Sequence, residues 1–461
     1  MHYFEITELA ARIRQRDVSP LTATRAQLDR IAAVDRELGS YAFVMEDTAL
    51  RQAAAAEAEI EAGKYRGPLH GVPVAVKDLC WTKGVPTAAG MAIHADHRPG
   101  DDATVVRRLQ DAGAVLLGKL QLTEGAYSDH HPSITAPKNP WNAAYWPGIS
   151  SSGPGVATAA GLCYACIASD TGGSIRWPAA ANGITGLKPT WGRVSRYGVF
   201  ELAPTMDHIG PMARSAADCG ILLQAIAGSD ANDPTALQDP VPDYAASTTA
   251  DLRGLRVGID PAWNGEDVDA TTQAVVSEAA ATLRSLGASL VDVRFPDVSA
   301  ASVDWFRNCA VEAALAHAAT YPARKQEYGS VLSAVIEAGR SMSAIDYQET
   351  LLRRLELRGR VAAVFRTIDV LLIPVHPFAA LTLDMIRTLG EQPELIAKLQ
   401  RYTCPFDLTG NPTITLPGGC TPAGAPLAFQ LVADHLGEAA LIRAGAAFQH
   451  ATSWHRRHPI P

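Results

Sequence analysis

No run of about eighteen or more apolar residues occurs in the chain, so no segment reads as a membrane-spanning helix. Positive charge is also short: 40 Lys and Arg face 48 Asp and Glu, a formal net charge of −8. That balance argues against a general nucleic-acid binder, which relies on a basic surface. Met1 opens onto "HYFEITELAARIRQRDVSP", where charged residues recur in a helical rhythm. The basic-then-apolar pattern of a secretory signal is missing there, and cytoplasmic residence is the expectation. Cysteine is sparse as well: Cys80, Cys163, Cys166, Cys219, Cys309, Cys404 and Cys420 are odd in number and scattered, as expected of reduced thiols. Cys163 and Cys166 form a C-x-x-C, but no second such pair or histidine pair completes a zinc set, so they read as core.

What is present is a globular composition, 47% hydrophobic over 461 residues, enough for two ordinary domains or one large α/β unit. Residues 5–62 read as helices: Ser19-Pro20 forms a cap and first turn, and an Ala/Glu-rich stretch stops at Gly63. "GVPVAVKD" then reads as a buried strand. "DDATVVRRLQDAGAVLLGKL" and "ATTQAVVSEAAATLRSLGASLVDVRFP" share one form, helix, glycine stop and strand, while "LRGLRVGID" and "IDVLLIPVHP" are further strands. This alternation predicts an α/β sheet covered by helices on both faces. "VATAAGLCYACIAS" is small and apolar and suits a buried helix; residues 228–254, rich in Pro and Asp, read as a long surface connection.

The G-x-S-x-G elbow of many serine hydrolases is absent, and so is the full P-loop pattern, since Gly153 is followed by Pro154 and Gly155. Three other stretches can carry chemistry together: "GVPVAVKD" with Lys77, "PGISSSGPG" at 147–155, and "SDTGGSIRWP" at 169–178. Ser174 follows two glycines, whose bare backbone leaves room for a carbonyl and exposes N–H groups to an oxyanion. A serine hydroxyl needs a base, and no histidine lies nearby in sequence. A lysine held neutral by burial can serve, giving a serine–serine–lysine relay.

These segments resemble the amidase signature family closely. The resemblance also takes in "KNPWN" and "FDLTGNPTITLPGG", and spans about Gly67 to Gln449. It implies a single α/β/α unit around a mixed sheet of about eleven strands, with residues 1–66 as a helical N-terminal region packed on a catalytic unit at 67–461. It further implies Lys77 as catalytic base, Ser150 as bridging serine behind a cis peptide, and Ser174 as nucleophile. Backbone N–H groups of Thr171, Gly172, Gly173 and Ser174 would form the oxyanion hole, with Ser151 orienting the relay and Asp170 and Arg176 bracing the loop. The family loop commonly reads P-G-G-S-S-G-G-S; here Ile149, Ser152 and Pro154 replace Gly, Gly and Ser.

The implied reaction is amide hydrolysis through an acyl-enzyme, without cofactor or metal, on a small-molecule amide, by a monomer or homodimer. Tyr127, His130, His131, Trp141 and Trp146 precede the serine loop and are expected to line an apolar or aromatic cleft, favouring an aryl or aliphatic amide, a carbamate or an ester. His130 and His131 lack a third ligand in motif spacing, so no metal is expected there. The glutamine-amidase subunits of glutamyl-tRNA amidotransferases resemble the chain too, but carry an Asp where Gln400 stands, which disfavours that branch.

Overall fold

Pro73–Lys77 is buried along its whole length, as a strand with neighbours on both edges and both faces must be. In a computed structural model, which describes residues 1–246, 248 and 251–460, the strands run β1 (Tyr41–Val44), β2 (Pro73–Lys77), β3 (Val115–Leu120), β4 (Ala165–Asp170), β5 (Thr185–Lys188), β6 (His208–Ala213), β7 (Arg256–Ile259), β8 (Ser289–Asp292), β9 (Val370–Pro374), β10 (Thr413–Cys420) and β11 (Pro426–Ala433). They form one eleven-stranded sheet in the order β1-β3-β2-β4-β6-β5-β10-β11-β9-β7-β8. β2 is parallel to β3 and β4, and β7 to β8 and β9; the remaining pairs are antiparallel, so the sheet is mixed.

Successive side chains of a strand point to opposite faces, and the core divides accordingly. Val74, Val76, Leu116 and Ile167 join one apolar cluster with Leu9, Leu109 and Leu222. Ala75, Leu117, Cys166 and Ala168 join another with Ile31, Ala53 and Val156. Helices therefore cover both faces, and the fold is α/β as expected. The helix Pro20–Leu38 has its N-terminus capped by Ser19, whose hydroxyl accepts from the Thr22 N–H at 3.1 Å.

Two local readings need correction. Residues 5–62 are not all helical, because Tyr41–Val44 forms β1 and pairs with β3 at the sheet edge. "VATAAGLCYACIAS" is not one helix: Ser152–Ala159 is helical, the chain turns at Gly161 (φ 73°), and the rest enters β4. Small residues satisfy both periodicities, so the turn decides. Within the 228–254 connection, residues 247, 249 and 250 lie outside the described residues. Its start is tied down: Asp230 accepts from Thr104 and Ser195, at 2.5 and 2.6 Å. All seven cysteines are unpaired.

Candidate active site

Parallel β2 and β4 end side by side, and their carboxyl ends carry Lys77, Ser169 and Asp170. Crevices at such strand ends are where open α/β sheets place ligands. Lys77 is fully buried, and its Nζ lies 2.7 Å from Ser150 Oγ, 2.8 Å from Ser151 Oγ and 2.9 Å from Ser169 Oγ. Burial pulls its pKa from the ordinary 10.5 down to about 7, against the opposing pull of Asp170. A neutral amine has two N–H donors and one lone pair, and three hydroxyls match that capacity. The Ser151 hydroxyl donates to the Ser169 carbonyl at 3.1 Å, which fixes it as an acceptor from Lys77. Ser169 is a contact that the sequence motifs did not single out.

The serine loop is pinned from outside. The peptide between Ile149 and Ser150 is cis, and the Ser150 carbonyl accepts from the Thr123 N–H at 3.2 Å. Ser152, where the family pattern has glycine, meets His130 Nε2 at 3.0 Å. Burial lowers the His130 pKa to about 4, so its ring is neutral.

Ser174 lies in the turn between β4 and the helix Arg176–Asn182 and is 7% exposed. Its hydroxyl has no hydrogen bond among the described residues, to Ser150 or to any other group. The turn around it is organised by the Asp170 carboxylate. That group accepts from the Gly173 N–H at 2.7 Å, from the Ile175 N–H at 2.9 Å and from two nitrogens of the Arg176 guanidinium at 2.8–3.0 Å. Burial alone would push Asp170 up, but Arg176 and these donors outweigh it and hold the carboxyl well below the ordinary carboxylate range. Arg176 also reaches Asp407 at 2.5 Å and the Thr403 carbonyl at 2.8 Å. Asp170 and Arg176 thus form a buried ion pair that shapes the loop.

One of the four expected oxyanion donors is therefore engaged elsewhere. The Gly173 N–H points at Asp170, because a buried carboxylate needs donors and this one is in reach. The N–H groups of Thr171, Gly172 and Ser174 have no acceptor among the described residues. Side chains crowd these glycines: a Cβ on Gly172 would lie 2.6 Å from the Trp305 ring, and one on Gly173 (φ 136°) 2.6 Å from the Trp177 ring. Trp305, which sequence reading missed, donates its indole N–H to the Thr171 carbonyl at 2.6 Å.

The expected cleft residues separate. Tyr127 lies near-parallel to Trp305, with centroids 6.4 Å apart and planes at 12°. Trp146 packs on Trp177 in an apolar cluster with Ile149 and Leu381, and lines a small cavity of about 30 Å³ that does not include Ser174. Trp141 donates to the Asn182 carbonyl and anchors its loop. The His131 ring nitrogen bonds Ser133 of its own loop at 2.7 Å, and among the described residues it makes no hydrogen bond to the serine loop. Among the described residues no three His, Cys, Asp or Glu side chains cluster to hold a metal ion. Among them, too, no helix is long and apolar enough to cross a membrane.

The family profile described as Amidase matches residues 22–442. A Mycobacterium tuberculosis protein named "Putative amidase AmiD" is 50% identical over 456 residues, covering 99% of this chain and 95% of that protein. A glutamyl-tRNA(Gln) amidotransferase subunit of Geobacter metallireducens is 36% identical over 487 residues, covering 99% of each chain. Among solved structures, the native peptide amidase from Stenotrophomonas maltophilia superposes with a TM-score of 0.83 at 29% identity, covering 99% of this chain and 98% of that one.

Proposed function

The chain belongs to the amidase family and is an amidohydrolase, and from that premise we propose that it cleaves small apolar or aryl amides through an acyl-enzyme on Ser174. The observation that carries this reading is Lys77: a fully buried lysine, its pKa lowered to about 7, held 2.7 Å from Ser150. In the proposed sequence neutral Lys77 takes the Ser150 proton while Ser150 takes that of Ser174, whose Oγ attacks the amide carbon. The carbonyl π pair moves to oxygen, which the free N–H groups of Thr171, Gly172 and Ser174 receive. Collapse breaks the C–N bond as the relay returns a proton to the leaving amine; water then repeats the cycle and frees the acid. Ser151 and Ser169 orient Lys77, and the Asp170–Arg176 pair holds the turn.

Apolar substrates fit the aromatic side chains around the turn, Trp177, Trp305 and Tyr127, and the Trp146–Ile149 cluster behind it. Carbamates and esters share the acyl-enzyme route and belong to the same proposal, as does action in the cytoplasm as a monomer or homodimer. A glutamine-amidase role within an amidotransferase complex is the second reading, favoured by the 36% identity to an amidotransferase subunit. Gln400 weighs against it: its side-chain oxygen is occupied by the Ser302 hydroxyl, and it brings no charge to meet an ammonium group.

Purified protein assayed alone against anilides, carbamates and L-glutamine separates the two. Anilide or carbamate turnover, abolished in Ser174→Ala, with a fluorophosphonate adduct on Ser174, is the expected result. Turnover surviving Ser174→Ala sinks the assignment, and glutamine hydrolysis without anilide hydrolysis selects the second reading.

A further inference from the structure

We infer that Trp305 is a positioning residue of the oxyanion hole, its indole N–H aiming the Gly172 N–H at the reacting oxygen. The inference rests on the acyl-enzyme reading of Ser174. Trp305 stands in the helix Ala301–Ala316, 134 positions from the loop it meets, and is 7% exposed. Its Nε1 donates to the Thr171 carbonyl at 2.6 Å. That carbonyl shares a peptide unit with the Gly172 N–H, and the unit is trans, the two cis bonds among the described residues lying elsewhere. In a trans peptide the C=O and N–H point in opposite directions. Fixing the carbonyl toward Trp305 therefore fixes the Gly172 N–H away from it, on the side left without an acceptor among the described residues.

The ring enforces the same arrangement. A Cβ on Gly172 would meet three Trp305 ring atoms at 2.6–3.0 Å, so the indole lies close against this peptide and leaves it no room to flip. Tyr127 backs the indole with a near-parallel ring. The next carbonyl along, that of Gly172, receives the Cys404 thiol at 3.7 Å, a longer and weaker restraint. The Thr171 side chain is held separately, its hydroxyl donating to Asp207 at 2.6 Å. Trp305 is thus the strong hydrogen-bond donor on the backbone that sets the direction of the Gly172 donor.

An oxyanion donor acts on the tetrahedral state more than on the planar substrate, so misaiming it lowers kcat and leaves KM nearly unchanged. Trp305→Phe keeps an aromatic ring and removes the N–H; Trp305→His retains a ring N–H. With p-nitroacetanilide, Trp305→Phe is expected to lose about 10- to 100-fold in kcat with KM within about twofold. Inhibition by phenylboronic acid should weaken by a similar factor: the Ser174 oxygen bonds to boron, its proton passes to the relay, and the tetrahedral adduct places a B–O group in the hole. Trp305→His should recover part of both losses. The thermal midpoint of each variant is recorded alongside. A Phe variant with wild-type kcat, a loss carried by KM, an unchanged boronate constant, or His and Phe variants equally impaired would each overturn the inference. Should Trp305→Phe not fold, the split between kcat and KM in Trp305→His decides. Failure of the underlying reading appears differently, as wild-type turnover untouched by Ser174→Ala, and removes the proposal with it.

Discussion

A lowered lysine pKa does not by itself mark a base. Lys77, Lys119 and Lys188 are all fully buried, and burial pulls Lys188 to about 7 just as it does Lys77. Their partners distinguish them. Lys188 donates to the Asn411 carbonyl at 2.6 Å, and Lys119 to the Cys80 carbonyl at 2.6 Å and Thr87 at 2.7 Å, beside Asp78 at 3.3 Å. Carbonyls and carboxylates only accept, and the Thr87 hydroxyl already donates to the Val85 carbonyl at 3.3 Å, so both lysines are anchors. Lys77 alone of the three faces hydroxyls throughout, and a hydroxyl can give up a proton as well as accept one. The rate consequence is direct: kcat/KM on an anilide should rise with pH through about 7, as Lys77 loses its proton, and level off above. Lys77→Arg keeps the charge but cannot become neutral, so it should lose at least about 10³-fold in kcat with no rising limb. A rising limb retained in that variant would assign the titration to another group. Asp170→Asn removes the charge facing Arg176 in a fully buried site. Breaking a buried pair from one side costs about 3–5 kcal/mol, and urea unfolding of the variant against wild type measures it.

The elements place these groups through very local chemistry. β2 and β4 bring Lys77 and Ser169 together because parallel strands end at one edge. The serine loop is tied to the helix Arg176–Asn182 by Asn182, its Nδ2 donating to the Pro147 carbonyl at 2.8 Å and the Pro178 carbonyl at 2.9 Å. Asn182→Ala leaves the buried Pro147 carbonyl without its donor, while the Pro178 carbonyl keeps its helical backbone bond, and should destabilise the fold by about 1–3 kcal/mol. It should also reduce kcat, which a urea series and an anilide assay on the same preparation check together. β2, β3, β7 and β9 were legible in the sequence because near-continuous apolar runs bounded by turn residues have few other uses. β1 was not: it has four residues, two of them exposed, between Ala-rich helices, and pairing rather than composition makes it a strand. The segments that carry Lys77, Ser150 and Ser174 were legible as motifs, and of these three the structure joins Lys77 to Ser150 by a hydrogen bond. The Gly173–Asp170 hydrogen bond was hidden because it depends on how one turn closes. Ser169 and Trp305 were hidden because their roles exist only once the strand and a distant helix are in place.

For the molecule as a whole, a buried lysine near neutrality is a burden that folding must carry, and its sign can be worked out. Lys77 titrates near 10.5 in an unfolded chain and near 7 in the fold, because burial disfavours its charged form. Between those values the unfolded chain holds a proton that the folded one lacks, so stability rises with pH across the window and is lost as pH falls toward 7. Lys188 adds a second group with the same direction. Asp218 runs the other way: burial first, and Glu5 beside it, raise its pKa from 3.8 to about 7, so its contribution is present at low pH and lost as pH rises through 7. Lys77→Met isolates one of these contributions. The variant forfeits the three serine hydrogen bonds at every pH, an offset that does not change with proton concentration. It also has no proton to lose. The unfolding free energy of wild type relative to Lys77→Met should therefore climb by a few kcal/mol between about pH 6.5 and 10, most of it above 7. Urea unfolding of the pair at four or five pH values reads this difference while the remaining titrations cancel. A flat difference would mean that Lys77 keeps its charge in the fold, and the relay would then need another base.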